Sequence, residues 1–125
     1  MAEITGTAFA RWEVSPDGAR VRMTITGADG VPIGVVLPAA SLSTLAMTLP
    51  AIIEQSLRRQ HRDPSLKLVY PLAGWSVEAA AGSGDLIVTM ETPDGFKVAF
   101  AATPAELEEI GAVAAAHDPA ASPLN

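Results

Sequence analysis

Apolar and polar side chains alternate with a period of two along several stretches of this chain, the signature of half-buried antiparallel strands. The clearest stretch covers residues 19–26, where Val21, Met23 and Ile25 fall on one side and Arg20, Arg22, Thr24 and Thr26 on the other. Similar patterns predict strands over residues 5–14, 31–37, 74–80, 85–92 and 96–102, and a short one over 66–70 before Pro71. Turn residues separate them. Ala28-Asp29-Gly30 and Pro93-Asp94-Gly95 each lie between two such runs, and Asp-Gly there predicts a tight hairpin because glycine accepts a positive φ. Pro16-Asp17-Gly18 and Ala81-Gly82-Ser83-Gly84 mark two further turns.

The period becomes helical in two places. Leu42, Leu45, Leu49, Ile52, Ile53 and Leu57 share a face of a helix predicted over residues 39–60, which Pro50 is expected to kink or break near Thr48. Thr103-Pro104-Ala105-Glu106 reads as a capping box with proline at the first helical position, starting a second helix that runs to residue 116. Residues 118–125, with Pro119 and Pro123, are expected to fray.

Laid on itself at an offset of 65 residues, the chain keeps its phase. Asp29-Gly30 falls on Asp94-Gly95, and Val21, Met23 and Ile25 fall on Leu86, Val88 and Met90. Beyond the turn, Val31, Ile33, Val35 and Leu37 fall on Phe96, Val98, Phe100 and Ala102. Trp12-Glu13-Val14 pairs with Trp75-Ser76-Val77 if the second repeat's first turn is two residues longer. The agreement predicts an α+β fold: an antiparallel sheet of about six strands with two helices packed on its apolar face, built as a duplicated strand-strand-strand-helix unit. One domain is expected over residues 1–117, with repeats over 4–62 and 66–117 and a flexible tail over 118–125.

Composition changes this picture only at the surface. Of 125 residues, 49% are apolar and 18% charged, against roughly 25% charged in an ordinary soluble domain. A chain so poor in charge leaves apolar area on its surface or buries it against a partner, so a homodimer is expected. Fourteen acidic and eight basic residues give a net charge of −6, which disfavours nucleic acid as a partner. No apolar run is long enough to span a membrane, and Met1-Ala2-Glu3-Ile4-Thr5 carries no secretory signal, so a cytoplasmic location is expected. Six arginines against two lysines and abundant alanine lean towards a bacterial source.

Candidate chemistry is sparse. There is no cysteine, and His61 and His117 lie 56 residues apart, each near a helix end whose dipole suits it. No Gly-x-Ser-x-Gly elbow occurs, and Gly82-Ser83-Gly84 sits in a hairpin turn, where it cannot hold a phosphate at a helix end. Asp17, Asp29 and Asp94 are accounted for by turns, and Glu106, Glu108 and Glu109 by the start of a helix. No catalytic residue, metal site or cofactor is therefore assigned. Two stretches stand out as partner contacts. Arg58, Arg59 and Arg62, with Lys67 beyond, form the local positive patch, although bases also gather at helix C-termini to offset the dipole. Tyr70, Leu72 and Trp75 lie on a connector bent by Pro71 and Gly74, where aromatic residues make good anchors.

By element order, the duplicated strands-then-helix unit resembles the PUR-repeat nucleic-acid binders, which grip single strands on basic and aromatic sheet faces. Arg20 and Arg22 suit such a face, whereas the matched positions Asp85, Ile87, Thr89 and Glu91 do not. By size, charge and mixed composition the chain also resembles small acidic dimeric secretion chaperones, although those open with a helix. The expected function is a non-enzymatic interaction module, a homodimer that binds a protein or peptide partner. The nucleic-acid alternative predicts that Arg20, Arg22, Arg58, Arg59 and Arg62 converge on one surface.

Overall fold

Six strands and two helices follow one another in the predicted order in the computed structural model, which describes residues 1–121. The chain divides into two units, Met1–Leu68 and Val69–Asn125, each a three-stranded antiparallel sheet followed by a helix. In the first, β1 (Gly6–Val14), β2 (Arg20–Gly27) and β3 (Pro32–Pro38) lie in the order β1-β2-β3, and α1 (Ala39–His61) follows. In the second, β4 (Gly74–Ala79), β5 (Leu86–Glu91) and β6 (Lys97–Ala102) lie in the order β4-β5-β6, and α2 (Pro104–Ala115) follows. The six antiparallel strands thus form two sheets of three.

The turns explain the registers. Asp17 accepts from the Ser15 hydroxyl at 2.6 Å and the Ala19 amide at 3.0 Å, and the Gly18 amide closes the turn on the Ser15 carbonyl. Asp29 accepts from the Val31 amide at 3.0 Å, and Gly30 takes a φ of 84° that would strain any other residue. The matched turn, with Gly95 at a φ of 90°, uses Thr92, whose hydroxyl contacts Asp94 and accepts from the Phe96 amide.

These turns place apolar rows across each sheet. Val14-Val21-Leu37, Trp12-Met23-Val35 and Phe9-Ile25-Ile33 line one face of the first sheet; Val77-Val88-Phe100 and Trp75-Met90-Val98 line the second. Val21 and Val88, on the two central strands, are the buried apolar residues among those described. The registers refine the repeat. Met23 pairs with Trp12 and Val88 with Val77, while Met90 pairs with Trp75 and its counterpart Ile25 with Phe9. Trp75 therefore matches Phe9, and Trp12 matches Val77. The first hairpins are equally long, so the expected two-residue insertion is absent. The irregularity lies in β1, where register shifts leave Thr7 and Ala10 as extra residues.

The other expectations fare differently. Of the kink or break expected at Pro50, the break is absent: helix α1 continues through it as one helix, with the Thr48 hydroxyl donating to the Thr44 carbonyl at 2.7 Å. Residues 66–70 form no strand: the Leu66 carbonyl accepts from Arg58 and the Leu68 amide donates to Glu54, so neither group is free for a ladder. Within each unit the helix covers little of its sheet, for neither helix contains a buried residue. The expected tail opens with a 3-10 turn, Pro119–Ala121, and residues 122–125 of it lie outside the described residues.

Candidate interaction surface

The side chains with most to gain from a partner are the large apolar ones left in water. In the first unit Phe9, Trp12 and Val14 share one side of β1, and Trp12 is 65% exposed. On α1, Leu42, Leu45 and Leu57 are half-buried, while Leu49, Ile52 and Ile53 are exposed and Met47 is 83% exposed. None of the described side chains is fully buried. The missing cover is large. Two separate globules, each of half the chain's 12.9 kDa, would together expose about 7,600 Å². This chain exposes 10154 Å².

The second unit supplies the predicted connector. Trp75 is 69% exposed at the start of β4, and Tyr70 and Leu72 are exposed as well. The Tyr70 ring leans on Phe96 with centroids 6.0 Å apart and planes inclined at 44°. Tyr70, Pro71, Leu72, Met90, Phe96 and Val98 line most of an open hollow of about 230 Å³. It is a mainly apolar cup about the size of one large side chain.

The predicted basic patch behaves differently. Arg58 is half-buried; its guanidinium donates to Glu54 Oε1 at 2.8 Å and its Nε to the Leu66 carbonyl at 2.8 Å. Glu54 Oε2 accepts from the Leu68 amide at 2.9 Å. Arg58 therefore fastens the segment after α1. Arg59 is exposed, and Arg62 caps the helix with φ at 53°. Beside it, the hydroxyl and amide of Ser65 hold the Asp63 carboxyl below the ordinary carboxylate range, with smaller help from Arg58 and His61.

Arg20 and Arg22 lie on the polar face of β2, beside an open hollow of about 320 Å³ bordered by Glu13, Val14, Pro16 and Val36. Arg22 sits 3.7 Å from Glu13. Two of the five arginines that a nucleic-acid surface would need are thus partly neutralised, Arg22 by Glu13 and Arg58 by Glu54. Among the described residues, no group of three or more His, Asp or Glu side chains is placed to hold a metal, and no helix is long and apolar enough to cross a membrane.

Sequence reading singled out Tyr70, Leu72 and Trp75, all of them exposed, and passed over the equally exposed Phe9 and Trp12. The signal was present, though disguised: Phe9 and Trp12 are three residues apart, which breaks the alternation unless a bulge intervenes. No protein-family model matches the chain, and no curated protein or solved structure matches it at a significant level.

Proposed function

We propose that this chain is a small acidic interaction module, without catalytic activity of its own, that works as a homodimer and holds a protein or peptide partner on its apolar surface. The observation that carries this reading is the surplus of exposed surface. Even against two independent globules it amounts to about 2,500 Å² per chain, so a pair of chains has about 5,000 Å² to cover, the range of obligate dimer interfaces. A second copy is the economical cover, because both units leave the same kind of apolar sheet face open and two-fold pairs are the commonest assemblies. The aromatic cup around Tyr70 and Phe96 supports a peptide side chain as the further ligand, and the composition supports a bacterial cytoplasm as the setting. Engagement of Asp17, Asp63 and Glu106 in turns and caps supports structural roles for those carboxylates.

Light scattering after size exclusion, over a wide range of protein concentration, tests the reading. The expected mass is twice the 12.9 kDa of the chain, unchanged on dilution. A monomer at every concentration overturns it.

A further inference from the structure

The free edge of β1 carries a pattern that is complementary to itself. Among the described residues strand β1 pairs only with β2, and all nine of its residues are exposed. The Ser15 amide donates to the Arg20 carbonyl at 2.9 Å, which sets the phase of the β1–β2 ladder. In that phase Arg11 and Glu13 turn their backbone groups towards β2, while Trp12 and Val14 turn theirs outwards to the open edge. The bulge at Ala10 and the proline at position 16 bound a regular run, residues 11–14.

Resting on the reading of the chain as a homodimer, we propose that its seam is β1 against β1 of a second copy, antiparallel, with Trp12 on the two-fold axis. Centred there, Trp12 exchanges both backbone hydrogen bonds with Trp12 of the second copy, because its amide and carbonyl already point outwards. Arg11 then stands opposite Glu13 of the second copy in a pair without backbone hydrogen bonds, the kind in which side chains come closest. By symmetry the contact occurs twice. The neighbouring centres fail on charge: an axis on Arg11 sets arginine against arginine, and one on Glu13 sets glutamate against glutamate. Arg11 makes no ion pair among the described residues, and Glu13 meets Arg22 only at 3.7 Å. Each Glu13 would thus sit between its own Arg22 and the second copy's Arg11. The same pairing brings the two rows that hold Phe9, Trp12 and Val14 side by side.

Charge exchange tests the seam. Arg11→Glu and Glu13→Arg each place two like-charged pairs across the axis, so each variant alone is expected to dimerise at least about tenfold more weakly than the wild type. Mixed in equal amounts, the two are expected to form a heterodimer in preference to either homodimer, because both crossing pairs become opposite in sign. The double variant Arg11→Glu/Glu13→Arg is expected to recover the wild-type mass, which separates a lost contact from a lost fold. The chain has no cysteine, so Trp12→Cys places its sole thiol on the axis. There the Cα atoms would lie about 5.5 Å apart, within disulfide reach, and mild oxidation is expected to give a covalent dimer where Trp75→Cys does not. A wild-type dimer whose single-charge variants pair with themselves as readily as with each other overturns the seam and leaves the dimer standing. A wild type that is monomeric throughout overturns both.

Discussion

Gly27 shows how tightly one residue can be constrained without any unusual torsion. A Cβ built there would lie 2.9 Å from the Val31 carbonyl oxygen and 3.0 Å from the Ile33 side chain, and backbone cannot retreat as a flexible side chain can. The Gly27 amide donates to that same carbonyl at 2.9 Å, closing the hairpin. Gly27→Ala is therefore expected to destabilise the first unit by about 1–3 kcal/mol, read as a shift in the denaturant midpoint, whereas alanine at the open position Gly111 adds no such contact. None of this was legible beforehand. The Asp-Gly signal identified Gly30 through its positive φ, but nothing in the sequence distinguishes a glycine kept for space from one that merely ends a strand. Phe9 and Trp12 teach the same lesson, since only the bulge at Ala10 returns both rings to one face.

At the scale of elements the sequence reading was close, because each boundary has a local chemical cause. Thr103 accepts from the Glu106 amide at 3.1 Å while Glu106 accepts from the Thr103 amide at 3.0 Å, so the box recognised in four letters is built. Thr103→Ala is expected to cost about 1 kcal/mol, seen as a lower melting temperature. The same box carries a pH dependence. The Thr103 amide, and then its hydroxyl, hold the Glu106 carboxyl below its ordinary value of 4.5. The Ser15 hydroxyl, and then the Ala19 amide, do the same for Asp17 from 3.8. A lowered carboxylate stabilises the fold fully above its ordinary value and loses that contribution as pH falls through the lowered one. The melting temperature should therefore be level above pH 4.5 and fall below it, with a shallower fall in Glu106→Gln; equal slopes would contradict the assignment. What the elements hid was their relations. The amphipathic face of α1 predicted a helix laid on the sheet, yet periodicity reports only that a face wants cover and says nothing about what covers it. The missing strand over residues 66–70 has a similar cause, since sequence cannot show that Arg58 and Glu54 reach forward to hold that backbone.

For the whole molecule the dominant quantity is uncovered apolar surface beside a net charge of −6. Most native proteins bind hydrophobic fluorescent dyes weakly, because their patches are small. This one is expected to brighten such a dye at neutral pH while its far-ultraviolet circular dichroism stays native. Tyr70 and Phe96 close one side of the cup in the second unit, so Tyr70→Ala and Phe96→Ala should each reduce the signal. A dye response as weak as that of an ordinary globular protein would mean that dimerisation leaves no apolar face open for a further partner. Composition had already pointed to uncovered area through its low charge fraction. It could not say which rows of side chains remain in the open, which depends on strand register.

Strand β3 gives the first sheet a property best expressed as valence. The Gly27–Val31 bond sets the phase of that ladder, and in it Pro32 and Pro38 both turn their nitrogens towards the free edge. Proline has no amide hydrogen to give, so only Gly34 and Val36 remain as outward donors between them. A sheet with two receptive edges can add copies without end, the route by which strands grow into fibrils. A sheet with one receptive edge can be joined only once. The prolines thus work against growth through the first sheet: whatever docks on β1 leaves on the far side an edge with half its outward donors removed.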